Sequence, residues 1–141
     1  MANTYISRLR VPQLDGWFAK ESITVVAPDG QANVIVSTEP VDHTIDSRRY
    51  ADSQGALLRA EFAGYREISH EAHPVFGGRG GFVRTFEWHP PDGVPVMQIQ
   101  MYFAAAGRGY TATATTAATQ FARLEADLRS IMGGIVIVDY T

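Results

Sequence analysis

The segment from residue 81 to residue 116 decides the fold, and it consists of three alternating stretches: Gly81-Phe-Val-Arg-Thr-Phe-Glu-Trp88, Pro95-Val-Met-Gln-Ile-Gln-Met-Tyr-Phe103 and Tyr110-Thr-Ala-Thr-Ala-Thr-Thr116. Two sequences that favour turns separate them, His89-Pro-Pro-Asp-Gly93 and Gly107-Arg-Gly109. Alternation of apolar and polar residues with a period of two is typical of strands that bury one face. The segment therefore predicts a three-stranded antiparallel meander.

The other face of this predicted meander carries uncharged side chains that form hydrogen bonds. They are Gln98, Gln100, Thr111, Thr113 and Thr115. Charged residues normally dominate a face that meets only water. A neutral polar face therefore indicates contact with another surface, and it does not indicate a reaction.

A β-hairpin and a helix precede the meander. The β-branched runs Glu21–Ala27 and Ala32–Thr38 flank Pro28-Asp29-Gly30, a strong turn sequence. The spacing of apolar residues predicts a helix over 46–63, with Asp46 as its N-cap and Gly64 as its C′ residue. Gly55, inside this helix, is expected to allow close packing.

Further elements lie on either side of the meander. Residues 65–73 are predicted to form a strand, and residues 117–132 a second helix capped by Thr116. The alanines 112 and 114 would let this helix lie close to the sheet, and residues 135–138 form either a last strand or a docked tail. Antiparallel strands with two separated helices predict an α+β layered fold, and the length of 141 residues predicts one domain, 1–141.

Composition excludes several classes of function. The net charge is −3 at pH 7 with charges interspersed, which argues against a nucleic-acid partner, since such proteins need a basic stripe. The absence of cysteine excludes disulfides and thiolate chemistry. Because no run of about 20 apolar residues and no secretory signal is present, we expect a cytoplasmic protein that is not embedded in a membrane.

Candidates for chemistry are few. Glu67, Glu71 and His73 have even spacing on a predicted strand, so they are either a divalent metal site or, as we favour, a solvated face. Gly77-Gly-Arg-Gly-Gly81 is either a phosphate-binding loop around Arg79 or, as we favour, a tight turn between strands. Because no catalytic set can be assigned, we predict no catalytic residue, no metal and no cofactor.

The chain resembles a known bacterial family over most of its length, from Trp17 to about Ile137. The residues that carry the resemblance are Gly16-Trp17 before Ser22-Ile-Thr-Val25, Asn33-Val-Ile-Val-Ser37, Leu57-Leu-Arg-Ala-Glu-Phe-Ala-Gly-Tyr65, Phe86-Glu-Trp88, Gln98-Ile-Gln-Met-Tyr102 and Tyr110-Thr-Ala-Thr-Ala-Thr115. In these it is similar to the DcrB-like domain of unknown function, which shares the PsbP-like α/β/α sandwich. The resemblance implies a mostly antiparallel twisted sheet with two helices.

One branch of that family consists of adaptor chaperones of type VI secretion, homodimers whose sheets cradle hydrophobic helices of an effector. The resemblance thus implies a non-enzymatic adaptor or chaperone whose sheet face binds a hydrophobic segment of a protein partner. The partner-binding residues would be the five Gln and Thr side chains of the meander, joined by Val34 and Val36 if the hairpin extends the same face. The alternative is a small-molecule or lipid binder.

That alternative rests on a pocket between the sheet and a helix. Its predicted lining is Met97, Met101, Phe103 and Tyr110. The competing interpretation of these four side chains is an ordinary close-packed core, which we favour because protein interiors normally leave few voids.

Overall fold

A computed structural model describes residues 8–138 of the chain. Its strands are β1 (Glu21–Val26), β2 (Ala32–Pro40), β3 (Arg66–Val75), β4 (Arg79–Trp88), β5 (Val96–Ala105) and β6 (Arg108–Ala117), and its α-helices are α1 (Ser47–Glu61) and α2 (Phe121–Gly133). The strands form one sheet in the order β1-β2-β6-β5-β4-β3, and every neighbouring pair is antiparallel. The predicted meander is thus confirmed as β4, β5 and β6.

One helix packs on each face of the sheet. Helix α1 lies on β5 and β4, whereas α2 lies on β6 and β2 of the opposite face. The larger core lies under α2, and it includes Val34, Ile99, Met101, Ala112, Ala114, Leu124, Leu128 and Met132. A smaller core under α1 consists of Tyr50, Ala51, Tyr102 and Ala104. The predicted α+β fold with two helices is confirmed.

Small side chains on β6 position α2. Ala112 is fully buried and Ala114 is 1% exposed, and both belong to the core that α2 covers. A methyl group at each position lets the helix approach the sheet, while Leu124 and Leu128 supply apolar area from the helix side. Burial of each leucine contributes roughly 1.5–3 kcal/mol. The predicted role of the two alanines is therefore confirmed.

Local signals define the ends of α1. The side chain of Asp46 accepts a hydrogen bond from the backbone N–H of Arg49 at 2.9 Å, which satisfies one donor of the first turn. At the other end Gly64 has a φ of 67°, a conformation that glycine adopts without steric cost. The N-cap prediction is confirmed, whereas the predicted C-terminal end is wrong: α1 stops at Glu61 with Phe62 as its C-cap, so Gly64 lies two residues beyond the cap and is not the C′ residue.

The predicted N-terminus of the second helix is wrong. Thr116 belongs to β6, and its hydroxyl donates to the backbone carbonyl of Gln31 at 3.0 Å instead of capping a helix. A short 3-10 turn, Ala118–Gln120, follows before α2 begins at Phe121. The sheet pairing of Thr116 therefore prevails over its capping chemistry. Beyond α2, Ile135 and Ile137 pack against the core without forming a strand, so this segment is a docked tail.

A β-bulge in β3 separates the carboxylates and histidine that the sequence placed on one face. The register with β4 shifts between Glu67 and Ser69. As a result Glu67 lies on the α1 face beside Arg84, whereas Glu71 and His73 lie on the α2 face. Among residues 8–138 no group of three or more His, Cys, Asp or Glu residues could hold a metal ion.

The glycine-rich sequence before β4 forms the predicted tight turn. Gly77 and Gly78 connect β3 to β4 with φ values of 87° and 91°. Arg79 opens β4, and its guanidinium lies 5.5 Å from the centre of the Phe103 ring.

Candidate binding face

Half of the α1 face of the sheet is not covered by a helix. Because α1 packs on β4 and β5, the strands β6, β2 and β1 beside it expose their α1-side residues. We call this surface the open face, and it consists of Thr24, Val26, Asn33, Ile35, Ser37, Gln98, Gln100, Thr111, Thr113 and Thr115. All ten side chains are uncharged, and the next α1-side residue of β2, Glu39, lies at the margin, where it accepts a hydrogen bond from the hydroxyl of Tyr50 on α1. Two apolar residues on the open face are exposed, Ile35 by 40% and Val26 by 59%.

A row of hydrogen bonds crosses the open face from β4 to β6. The indole N–H of Trp88 donates to Oε1 of Gln98 at 3.0 Å, and Nε2 of Gln98 donates to Oγ1 of Thr115 at 2.7 Å. Each side chain is fixed by its neighbour on the next strand, so Gln98 holds one orientation. We call this the Trp88 row.

A second row runs parallel to the first and starts from a buried charge. Nη1 of Arg84 donates to the hydroxyl of Tyr102 at 2.9 Å, and that hydroxyl in turn donates to Oε1 of Gln100. Nε2 of Gln100 then donates to Oγ1 of Thr113 at 3.3 Å. We call this the Arg84 row.

Arg84 is 1% exposed and lies between α1 and the sheet. Its Nε donates to the carboxylate of Glu67 at 3.0 Å, and its Nη1 also donates to the backbone carbonyl of Ala51 at 3.2 Å. Gly55 creates the space, because a Cβ at this position would lie 2.5 Å from Nη2 of Arg84. The charge of the guanidinium is thus balanced by Glu67 and stabilised by several acceptors, as a buried cation requires.

The same environment changes the ionisation of the side chains around Arg84. Burial raises the pKa of Tyr102 far above its usual value, so its hydroxyl remains a proton donor to Gln100. Burial also lowers the pKa of His70, and the neighbouring Arg84 charge lowers it further. For Glu67, desolvation acts to raise the pKa, but hydrogen bonds from Tyr65 and Arg84 outweigh it and the pKa is lowered.

The two rows leave few hydrogen-bonding groups unsatisfied. Each glutamine uses its carbonyl oxygen and one amide proton within the sheet, so one amide proton remains. Thr113 and Thr115 each accept within the row and keep a hydroxyl proton. The open face is therefore partly satisfied internally, and what it offers outward is mainly N–H and O–H donors.

The structure brings together five of the seven residues that the sequence predicted as partner-binding. Gln98, Gln100, Thr113 and Thr115 form the rows, and Thr111 lies at the margin, where its hydroxyl is 3.0 Å from that of Tyr50 on α1. Their role in binding stays a prediction.

The placement of Val34 and Val36 on the same surface is wrong. Val34 pairs with Ala114 and Val36 with Ala112, so both valines point to the α2 face, and Val34 is fully buried. The β2 residue that does extend the open face is Ile35, which pairs with Thr113. No alternation distinguishes these positions in the sequence, since Val34, Ile35 and Val36 are all β-branched and apolar.

The side chains predicted to line a ligand pocket lie mostly in the core. Met97 and Met101 are buried, and Phe103 and Tyr110 pack against the α2 core with their rings 5.8 Å apart. A cavity of about 280 Å³ beside Met101 lies between α2 and the turn after β3. Binding of a small molecule there stays a prediction.

Comparison with known proteins shows similarity at the level of the fold. No family model matches the sequence, and no curated protein matches it. The structure is similar to PA94, a protein of unknown function from Pseudomonas aeruginosa described as a candidate regulator, with a TM-score of 0.76, 15% identity and 89% of each chain covered. It is also similar to the cyanobacterial PsbP protein CyanoP from Synechocystis sp. PCC 6803, with a TM-score of 0.52, 11% identity and 78% of each chain covered. The fold is PsbP-like.

The helices of the described residues do not include a membrane-spanning candidate. Neither α1 nor α2 is long and apolar enough to cross a bilayer.

Proposed function

We propose that this protein acts by binding, as an adaptor or chaperone that holds a hydrophobic segment of a protein partner against its open face. The observation that carries the proposal is a sheet surface that is uncovered, uncharged and internally hydrogen-bonded at the same time. In this proposal the partner is a secreted effector, bound in the cytoplasm before its delivery, and two copies of the chain act together as a homodimer.

The hydrogen-bonded rows explain how such a face can accept an apolar segment. Covering a polar group that has no partner costs about 1–3 kcal/mol, and covering a charged group costs more. In the rows, the carbonyl oxygens of Gln98 and Gln100 already have donors. An apolar segment can therefore cover them at a low desolvation cost.

The same rows keep the free protein compatible with water. In the absence of a partner, the open face presents amides and hydroxyls instead of a continuous apolar patch, which limits self-association. When a segment docks, Ile35 and Val26 supply apolar contact, since both are exposed. The remaining amide and hydroxyl protons can donate to backbone carbonyls of the segment, whose oxygens have a second lone pair.

A double substitution tests the proposal. Gln100→Glu with Thr113→Glu places two charges on the open face and removes the amide donor between them. We expect loss of partner capture from the native host, with at least a tenfold reduction, because the docked segment would bury unpaired carboxylates. The control is Thr119→Glu, which adds one carboxylate at an exposed site outside the open face.

Two measurements make the test decisive. Circular dichroism and urea unfolding establish that the variants are folded, and mass spectrometry of the eluate identifies the captured chain. Undiminished capture of the same partner by a folded double variant would contradict the proposal. Loss of capture by Thr119→Glu as well would show that the effect is not specific to the open face.

A further inference from the structure

The segment before β1 exposes large apolar side chains. We call residues 8–20 the arm, and none of them belongs to a helix or a strand. Five of its side chains are apolar, and each is at least 65% exposed: Leu9, Val11, Leu14, Trp17 and Phe18. A cluster of exposed apolar residues of this kind on a small domain marks a site of contact with another surface.

A hydrogen-bonded turn gives the aromatic part of the arm a fixed shape. The backbone N–H of Trp17 donates to the carbonyl of Leu14 at 3.1 Å, and Gly16, the third residue of the turn, has a φ of 84°, as in a type II turn. The side-chain amide of Gln13 donates to the backbone carbonyl of Trp17 at 2.5 Å. These bonds satisfy backbone groups that would be costly to carry into apolar surroundings unpaired.

The arm is basic, whereas the rest of the chain is acidic. The arm contains three cations, Arg8, Arg10 and Lys20, against one carboxylate, Asp15. The rest of the chain has nine arginines against fourteen Asp and Glu residues. An anionic surface would therefore attract the arm and repel the remainder of the molecule, which gives the protein a preferred orientation.

We propose that the arm binds the surface of a lipid bilayer that contains anionic lipids. Its cations are attracted to the negative headgroups, and because Lys20 also lies 3.9 Å from Glu39, Arg8 and Arg10 supply most of this attraction. Trp17 and the other apolar side chains then enter the boundary between headgroups and acyl chains, where aromatic rings are favoured. The arm is shorter than the about 20 residues of a spanning helix, so it lies on the membrane.

The base of the arm is fixed at one end of the sheet. Nη2 of Arg108 donates to the backbone carbonyl of Ala19 at 2.8 Å, and Arg108 is the first residue of β6, paired with Pro40 at the end of β2. The bilayer would therefore meet this end of the sheet. Val94 is 62% exposed and lies in the loop before β5, at the opposite end, so it supplies a control position.

Flotation of the full chain with lipid vesicles tests the proposal. The probe is a vesicle of phosphatidylcholine with about one-third phosphatidylglycerol, and vesicles of phosphatidylcholine alone serve as the uncharged reference. We expect the wild type to float with the anionic vesicles and to bind the uncharged ones at least tenfold more weakly. Trp17→Ala with Phe18→Ala should weaken binding to the anionic vesicles at least tenfold, whereas Val94→Ala should leave it unchanged.

Charge variants give a readout that changes in both directions. Arg8→Gln with Arg10→Gln should reduce binding to the anionic vesicles at least tenfold, because two cations near the surface are lost. Asp15→Asn removes the one carboxylate of the arm and should increase binding severalfold. All these positions are exposed, so circular dichroism should show unchanged folding.

Tryptophan fluorescence reports insertion directly. The chain has two tryptophans, Trp17 and Trp88, so Trp88→Phe leaves Trp17 as the only indole. We expect its emission to shift to shorter wavelength on addition of anionic vesicles and to be quenched by brominated lipids, since an exposed indole moves into apolar surroundings.

Two results would overturn the proposal. One is a wild type that does not float with the anionic vesicles, or that floats equally well with both kinds. The other is an emission spectrum of Trp17 that vesicles leave unchanged. If the Trp17→Ala and Phe18→Ala variant instead lost a dimer detected by sedimentation equilibrium while the wild type ignored vesicles, the arm would be a contact between copies. The arm and the open face share no residue, so this inference goes beyond the proposed function.

Discussion

The hydroxyl of Tyr102 connects the buried charge of Arg84 to the open face, so its removal tests the proposed architecture. Tyr102 is fully buried, accepts a hydrogen bond from Nη1 of Arg84 at 2.9 Å and donates to Gln100. Tyr102→Phe keeps the ring and deletes only these two interactions. Nη1 of Arg84 then retains only the carbonyl of Ala51, at 3.2 Å, as its acceptor.

The expected loss follows from the charge on the donor. A hydrogen bond to a charged group contributes about 1.5–3 kcal/mol, and a buried donor left partly unsatisfied costs an amount in the same range. Gln100 is only half-buried, so water can replace the Tyr102 hydroxyl there at little cost. We therefore expect Tyr102→Phe to reduce the free energy of unfolding by about 2 kcal/mol, which corresponds to a fall in Tm of roughly 6–10 °C for a domain of this size.

Urea unfolding followed by circular dichroism measures this loss, with an unchanged m-value as evidence that the fold is retained. Tyr110→Phe is the matched control. The ring of Tyr110 packs against Phe76 and Phe103, and its hydroxyl forms no hydrogen bond among residues 8–138. If Tyr102→Phe lost less than about 0.5 kcal/mol, or no more than the control, the hydroxyl would not be the link that we describe.

Two further predictions concern the same cluster. Gly55→Ala should destabilise the protein by about 1–2 kcal/mol in urea unfolding, because the new Cβ would lie 2.5 Å from Nη2 of the buried Arg84. This loss is expected even though alanine favours helix by about 1 kcal/mol relative to glycine. A stabilised variant would contradict the close approach of Arg84 to Gly55. The pKa of His70 is lowered in the folded protein, so the unfolded chain binds more protons at mildly acidic pH. The free energy of unfolding should therefore fall as the pH drops below about 6.5. His70→Gln should remove that part of the decline in urea midpoints measured from pH 8 to pH 5, and an unchanged profile would contradict this role.

Features that depend on neighbouring residues in the sequence were predictable. The alternation in β5 and β6 indicated which side chains share a face, because the period of two follows from strand geometry alone. Asp46 likewise marked the start of α1, since N-capping depends on residues within one turn. The sequence alone therefore predicted that Gln98 and Thr113 share an uncharged face of the sheet.

Features that depend on distant pairings were not predictable. Thr116 has the chemistry of a helix cap, but its partner is the carbonyl of Gln31, on the turn before β2. The face on which Val34 lies was fixed by its pairing with Ala114 beneath α2. A bulge after Glu67 shifted the alternation of β3, and no residue type in that strand predicts the bulge.

The buried arginine was the largest omission from the sequence interpretation. Arg84 lies at the same strand parity as Phe82, Phe86 and Trp88, but a charged side chain normally predicts exposure to solvent. Its burial requires Gly55 on α1 opposite it and Tyr102 and Glu67 on the flanking strands. These residues come together only through the tertiary fold. The hydrogen bond from Tyr102 that orients Gln100 could therefore not be predicted from the sequence.

Photo-cross-linking from the centre of the open face tests the proposed function most directly. A photoreactive phenylalanine derivative would replace Thr113 in the protein expressed in its native host, with Ala126, an exposed residue of α2, as the control position. We expect irradiation at position 113, and not at 126, to yield one adduct whose cross-linked peptide is an apolar segment of another protein. Adducts from position 113 that contain no such segment, or the same adduct from both positions, would contradict the proposal.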